Sequence, residues 1–368
     1  MRVYLILCGL TLMWGECAEH LPSKIKTKNG RTIIRPSAFF AGLLFLSWAA
    51  IYALRYRVGT DFGTYYSSYS RITNNNESLT DFLDKQRDML FGYIEYFCAR
   101  LSGGNWIFFS FVCAVLTYLP VVVTVRRKSV DFTASALLFL FSMQFFAGFN
   151  GVRQAIAVGL SFYAYYCGLK ERRYLKYAIL IALAFGFHST ALIVIPVHLL
   201  SLKNLRAPII KVTVTVLLFS FVFLGSIWNY VISFLEKIGQ SKLASDYETL
   251  SEKGSSVLRL IVAMLPPLLG VFFQEQLRRA FTDTDSEIIL LLIAAIFSLF
   301  SLNTWLFSRI AQYFNIYLIM FLPKFTCLFK EKSRPLVAAI MLALYFGYMC
   351  AMLLHGDGQV LPYTFINF

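Results

Sequence analysis

The chain has 368 residues, of which 58% are hydrophobic and only 15% are charged, and its formal net charge is +14 at pH 7. Soluble domains carry about 25% charged residues, so this composition excludes an ordinary soluble domain. The mean hydropathy of +0.64 also excludes a disordered chain. The composition predicts an all-α, polytopic membrane protein, and membrane topology explains the positive charge better than a nucleic-acid partner does.

Apolar segments recur along the whole chain, and a membrane-spanning helix needs about 20 such residues. We therefore predict one integral membrane domain over residues 1–368 with about 10–12 spanning segments, for which a GT-C-like arrangement is one candidate. The first segment is read as an uncleaved helix, with a signal peptide as the alternative. The segments are 3–17, 37–54, 105–125, 132–149, 152–169, 177–202, 208–226, 257–273, 287–302, 310–323 and 336–354.

Clusters of lysine and arginine lie between these segments, and the positive-inside rule assigns them to the cytoplasm. Most of the net charge then lies on that side and only orients the protein. The loops 55–104 and 227–256 and both termini lie outside. The clusters lie within residues 24–35, 126–128, 170–176, 203–211, 278–279 and 324–334.

Two segments do not fit a simple crossing. Segment 88–101 is apolar on one face only, so we predict an amphipathic helix on the outer surface. Segment 177–202 has basic clusters at both ends. It is predicted to be a broken or re-entrant pair of half-helices that meet near His188, because irregular backbone in a membrane lines cavities or is buried in protein.

The first candidate site follows the second apolar segment, where Arg55, Arg57, Asp61 and Tyr65 lie close together in sequence. Arginine binds phosphate or carboxylate through two parallel hydrogen bonds. Asp61 could orient an arginine, cap a helix or accept a proton from a sugar hydroxyl. Tyrosine suits sugars and also the bilayer interface, so interfacial anchoring is the alternative.

Two further arginines stand at predicted outer starts of helices. Arg153 and Gln154 begin one helix, where an arginine opposes the macrodipole and, with free N–H groups, makes an anion cradle. Arg309 repeats this placement, with Gln312 and Tyr313 on neighbouring faces. Snorkelling anchors are the alternative for both arginines.

His188 lies at the predicted helix break, and broken helices in membranes often line sites. A buried structural histidine is the alternative. Glu95 and Asp61 are the possible outer bases, and neither is paired in sequence with a second carboxylate. Several arginines on one side suit a lipid-linked diphosphate, stabilised as a leaving group. No acidic cluster resembles a metal site, so we expect neither a metal nor another cofactor.

The ordered set of motifs resembles the EpsG family, which comprises Wzy-like bacterial surface polysaccharide polymerases. One departure is the acid of a Glu-x-Gly-Tyr/Phe pattern. Here Phe91-Gly92-Tyr93 follows Asp88, which leaves the role of an acid in this segment open. The motifs are Arg57-Val-Gly-Thr-Asp61, Asn150-Gly-Val-Arg153-Gln154-Ala155-Ile-Ala157, Phe187-His188-Ser-Thr-Ala191-Leu, Arg309-Ile-Ala-Gln-Tyr313-Phe and Leu361-Pro-Tyr363.

The resemblance implies a metal-independent glycosyltransferase of the bacterial inner membrane, with its active site facing the periplasm. It would join repeat units carried on undecaprenyl diphosphate, transferring the growing chain onto the non-reducing end of a new unit. Arg57, Arg153 and Arg309 are then diphosphate candidates, and His188 and Asp61 are candidates for acceptor activation.

The implied partners are the lipid-linked donor and acceptor and the membrane lipid. A chain-length regulator and a flippase of the same pathway are further candidate partners. Two alternative functions stay open at this point. An O-antigen ligase-type transferase would use the same donor, and a non-enzymatic flippase or transporter would carry the same lipid-linked sugars.

Overall fold

The computed structural model describes residues 1–26, 32–202 and 256–366, which are predominantly helical. It confirms the predicted all-α, membrane-spanning fold class. The chain divides into two compact units, Met1–Leu192 with Phe329–Phe368, and Ile193–Leu328. The predicted span 208–226 and all of the predicted loop 227–256 except Ser256 lie outside the described residues.

The first unit contains most of the long helices. A π-helical turn, Tyr165–Leu169, extends the ninth helix, and short 3-10 turns lie at Ser189–Ile193 and Asp357–Gln359. The α-helices are α1 (Arg2–His20), α2 (Ala38–Ala53), α3 (Phe62–Asn74), α4 (Leu79–Leu83), α5 (Met89–Ser102), α6 (Trp106–Lys128), α7 (Phe132–Phe141), α8 (Gln144–Asn150), α9 (Val152–Ala164), α10 (Tyr174–Phe187) and α17 (Arg334–Leu354).

The core of this unit is built around α6 and α7. Helix α6 packs against α2 and α9, and α1 packs against α2 and α7. Every residue of α7 is buried, as expected of a helix that is apolar all round. The indole of Trp48 in α2 donates a hydrogen bond of 2.9 Å to Thr11 in α1, so these two buried polar groups are paired.

A small antiparallel ribbon joins α1 to α2, where we predicted no strand. Strands β1 (Ser23–Lys26) and β2 (Thr32–Arg35) pair with Ser23 opposite Arg35. The alternation of basic and apolar residues in Ser23-Lys-Ile-Lys26 has the two-residue period of a strand. The ribbon lies within the first basic cluster and leaves the helical architecture unchanged.

Two apolar segments of the first unit are interrupted. The chain bends by 46° between α7 and α8, where Met143 adopts a left-handed backbone with φ 67°. Helix α10 ends at Phe187, and His188 is extended before the 3-10 turn. The structure therefore confirms a helix break at His188.

The second unit contains a bundle centred on α14. Helix α14 packs against α12 and α15. Lys324 and Glu287 form a buried ion pair of 2.6 Å between α16 and α14. The helices are α11 (Val194–Ser201), α12 (Val257–Phe272), α13 (Gln274–Ala280), α14 (Thr284–Phe300), α15 (Trp305–Asn315) and α16 (Leu318–Thr326).

Within the described ranges, α6 and α17 are each long and apolar enough to cross a membrane alone. Two bent pairs, α7 with α8 and α12 with α13, reach this length only when each pair is taken together. Within residues 1–26, 32–202 and 256–366, several predicted spans, such as 37–54 and 177–202, fold as shorter or interrupted helices and not as single long ones.

Candidate functional site

Three charged or ionisable side chains meet where α5 and α9 begin and α10 ends. Arg153 Nη1 donates to Asp88 Oδ2 at 2.9 Å. His188 Nδ1 lies 3.6 Å from the same oxygen, which is within ion-pair range but longer than a hydrogen bond. The fold thus brings together Arg153 and His188, two predicted site residues, through an acid whose role the sequence left open. We call these three residues the Asp88 cluster.

The local structure explains why these side chains are available. Asp88 precedes the first residue of α5, but its side chain makes no capping bond and is used for Arg153 instead. Arg153 is the second residue of α9, which begins directly after Gly151. His188 follows the last residue of α10, where its extended backbone takes it out of the helix. Each side chain therefore lies at a helix end.

Electrostatics keep Asp88 ionised. Burial by itself would raise the pKa of the carboxyl, but His188 and the Arg153 guanidinium outweigh it, so the pKa lies below its ordinary value of 3.8. The Asp88 side chain is only 5% exposed, whereas 31% of the Arg153 side chain is open to solvent. The cluster therefore combines a buried carboxylate with a partly open guanidinium.

His188 completes the cluster on the side of α10. Its side chain is mostly buried, and among the described residues its Nδ1 has no hydrogen-bond partner. Buried polar atoms are rarely left without a partner. This nitrogen faces Asp88 Oδ2, so the carboxylate is placed to orient the imidazole.

Glu95 lies on the same face of α5 as Asp88 and is fully buried. The predicted amphipathic helix does form, but it turns this acid inward while Met89, Tyr93 and Phe97 stay exposed. Burial raises the pKa of Glu95 to about 7, against the opposing effects of the Ser68 hydroxyl and of Arg153 and Arg71. Its carboxyl is therefore only partly ionised at neutral pH.

Aromatic side chains border the Asp88 cluster. The Arg153 guanidinium lies 5.9 Å from the centre of the Phe91 ring, within the range of a cation–π contact. The ring of Tyr65 lies 5.7 Å from that of Phe91. Burial raises the pKa of Tyr65, and nearby Arg153 opposes the rise. Tyr65, predicted to bind substrate, is thus next to Arg153.

The loop between α2 and α3 holds the other predicted residues of the first motif. Arg57 is exposed, has a left-handed backbone with φ 52°, and lies 5.3 Å from the centre of the Tyr56 ring. Asp61 stands at the N-cap position of α3 without making a capping bond. Its carboxylate accepts a hydrogen bond of 3.0 Å from the Thr60 hydroxyl.

Two residues predicted to contact substrate, Arg55 and Gln154, are buried. Arg55 is 2% exposed, donates to the Tyr52 carbonyl at 2.9 Å, and stacks 3.7 Å from the centre of the Tyr52 ring. Gln154 is also 2% exposed. The rings of Tyr52 and Phe149 lie against Arg55. The role of Arg55 and Gln154 in substrate binding stays a prediction.

The fourth predicted group, Arg309, Gln312 and Tyr313, lies in α15 of the second unit. The Arg309 guanidinium stacks 4.3 Å from the centre of the Trp305 ring. Tyr313 is 1% exposed, so its ring packs inside this unit. The role of these three residues in substrate binding stays a prediction.

A family model, the EpsG family, matches residues 38–365. The chain belongs to the EpsG family. It is therefore a membrane protein of the polysaccharide polymerase type. The matched range of this EpsG protein includes the whole Asp88 cluster and the loop that carries Arg57. Comparison with curated proteins and with solved structures gives no match.

The sequence of this EpsG protein indicates that Asp88, which precedes α5, and Glu95 within α5 lie on the same side of that helix. Asp88 and Glu95 are seven residues apart, which places them on one face of a helix. The apolar pattern predicted an amphipathic helix on the outer surface, and this prediction did not say which residues of the helix are buried. Only the packing of α5 against α3 and α10 shows that the acidic face is the buried one.

Proposed function

We propose that the protein polymerises a bacterial surface polysaccharide in the inner membrane. It would transfer an undecaprenyl-diphosphate-linked glycan chain onto the non-reducing end of a new lipid-linked repeat unit at the periplasmic face. One observation carries the proposal, namely the Asp88–Arg153–His188 cluster in a member of the EpsG family. The cluster brings an anion-binding guanidinium and an imidazole together on one carboxylate.

In this proposal the arginines hold the diphosphate. A guanidinium has five N–H donors, and the bond to Asp88 uses one nitrogen of Arg153, so other donors remain for phosphate oxygens. Exposed Arg57 would provide a second guanidinium that binds the diphosphate equally in the ground state and the transition state. Arg153, held by Asp88, would stabilise the charge that develops on the departing diphosphate in the transition state.

The proposed reaction is a displacement at the anomeric carbon of the donor. The acceptor hydroxyl oxygen forms the new bond to that carbon, and the bond from the carbon to the phosphate oxygen breaks. The electron pair leaves with the diphosphate, and the hydroxyl proton passes to a base. His188 suits this role because Asp88 Oδ2 lies 3.6 Å from its Nδ1, so the carboxylate would orient the ring and leave Nε2 to accept the proton. Asp61, an acid on the Arg57 loop, is the second candidate.

The test is complementation of a deletion strain with wild-type and variant protein, read as the length ladder of its surface polysaccharide. Wild type should restore long chains. Arg153→Ala should leave only single repeat units on the surface, and Arg153→Lys should restore at most short chains, because lysine lacks the planar fork. Long chains with Arg153→Ala would refute the site.

The same deletion strain separates the alternative functions. If polymers remain on the carrier lipid and none reaches the surface acceptor, the protein is a ligase. If lipid-linked units accumulate on the cytoplasmic side, it is a flippase. Single units at the surface, with no polymer on the carrier, support the polymerase.

A further inference from the structure

The side-chain amide of Asn150 joins two distant parts of the chain to the start of α9. Its Oδ1 accepts a hydrogen bond of 2.7 Å from the backbone N–H of Thr60. Its Nδ2 donates a hydrogen bond of 3.1 Å to the carbonyl of Gly358. Because one partner is a donor and the other an acceptor, the two bonds fix the orientation of the amide.

Two glycines allow the backbone to come this close. Gly59 has φ +101°, and a Cβ there would lie 2.7 Å from Asn150 Oδ1 and 2.8 Å from the Phe149 carbonyl oxygen. Gly358 has φ +64°, and a Cβ there would lie 2.6 Å from Asn150 Nδ2. Both positions therefore need glycine for the backbone conformation and for the close approach.

The C-terminal segment, residues 357–366, covers the Arg57 loop and is itself anchored. Gly59 donates to the Gln359 carbonyl at 3.0 Å, and Tyr56 donates to the Thr364 carbonyl at 2.9 Å. The Tyr4 hydroxyl of α1 donates to the Val360 carbonyl at 2.7 Å. The loop is thus held on one side by this segment and on the other by Asn150.

We propose that Asn150 is a positioning residue for diphosphate binding. Arg57 lies two residues before Gly59, and Arg153 lies three residues after Asn150. Asn150 therefore sets the loop that carries one arginine against the helix start that carries the other. The ligand it would serve is the diphosphate of a lipid-linked donor, so this inference rests on the proposed function.

The test uses the full-length protein in lipid nanodiscs with two probes. Undecaprenyl diphosphate alone measures binding, and the lipid-linked repeat unit from the deletion strain measures chain extension. Asn150→Ala should weaken undecaprenyl diphosphate binding and raise the KM for the donor about tenfold, since two hydrogen bonds are lost. The kcat should change by no more than about twofold, because the Asp88 cluster stays in place.

A double-mutant cycle with Arg57→Ala tests whether Asn150→Ala raises the KM through Arg57. If Asn150 acts through Arg57, Asn150→Ala should add little to the KM of Arg57→Ala. Gly358→Ala, which leaves Asn150 itself unchanged and places a Cβ against its Nδ2, is the second variant if the alanine variant does not fold.

The glycines provide a matched control. Gly358→Ala should reproduce the rise in KM. Gly356→Ala should not, because Gly356 has a comparable φ of +84° but nothing within 4 Å of an added Cβ. Trypsin should also cut after exposed Arg57 faster in Asn150→Ala than in wild type.

Two results would overturn the inference: an unchanged KM, with or without a fall in kcat, or additive effects in the cycle. Failure of wild type to extend chains or to bind undecaprenyl diphosphate would instead refute the proposed function, and the inference with it.

Discussion

Asp88 and Arg153 form an ion pair of 2.9 Å between the residue before α5 and the second residue of α9. The carboxylate is buried and the guanidinium is partly open, so the acid orients the arginine without covering it. The same carboxylate lies next to His188. A single acid thus couples the proposed anion-binding group to the proposed base.

Asp88→Asn should lower chain extension by about tenfold or more, equivalent to ~1.4 kcal/mol of lost transition-state stabilisation. Asparagine keeps the shape but removes the charge that holds Arg153 in place. The measurement is the rate of chain extension in nanodiscs. Asp84→Asn is the matched control, because Asp84 is a nearby exposed acid. Equal rates for the two variants would contradict the proposed role of the pair.

His188→Gln should reduce kcat by about a hundredfold, the usual size of a general-base contribution, with little change in KM. Glutamine is polar but cannot accept the proton. The control is His355→Gln, since His355 is exposed near the end of the chain. A normal kcat for His188→Gln would favour Asp61 as the base, which Asp61→Asn would then test.

Glu95 should make stability depend on pH. Its folded pKa of about 7 lies above the ordinary 4.5, so it favours the folded state fully below pH 4.5, and this contribution is lost as the pH rises through 7. At pH 8, Glu95→Gln should therefore have a free energy of unfolding up to about 3 kcal/mol larger than that of wild type, and it should unfold at a higher temperature. At pH 5 the two proteins should unfold at similar temperatures. Thermal unfolding in detergent at both pH values gives the comparison. A difference independent of pH would show that burial of the ionised form is not the cause.

Arg57→Gly should separate stability from activity. Arginine in a left-handed backbone costs about 1 kcal/mol, and glycine removes that cost, so the variant should be at least as stable as wild type while chain extension falls. Arg172→Gly is the matched control, because Arg172 is also exposed with φ 56°. It should gain stability and keep normal chain extension. Normal activity of Arg57→Gly would remove Arg57 from the site.

The buried pair of Lys324 and Glu287 should matter for stability of the second unit. Glu287→Gln alone should destabilise the protein by about 3 kcal/mol, because it leaves a buried ammonium without its counter-charge. Combining it with Lys324→Met should restore most of the loss, since the uncompensated charge is then gone. Thermal unfolding of the two variants measures this. No recovery in the double variant would mean that the pair is needed for its shape and not for its charge balance.

The helix break shows how far local sequence reasoning reaches. Basic residues at both ends of segment 177–202 required a break near its middle, and the structure has an extended residue at His188. Glu95 shows the limit of such reasoning. The spacing of residues showed that Glu95 and Asp88 lie on one face of the helix, but not that this face is the buried one. Arg55 is a second example of this limit. Its position just after an apolar segment predicted a binding residue at the outer end of a helix, and the sequence did not reveal the aromatic rings that enclose it.

By itself the sequence determined the fold class, the helix break at His188 and the motifs of the family, because hydropathy, charge and short motifs are local properties of the chain. Only the tertiary structure decided that Asp88 is the partner of Arg153 and that Asn150 joins Thr60 to Gly358. These contacts link residues 65, 90 and 208 positions apart. Such pairs depend on how helices pack, and packing is a property of the whole chain.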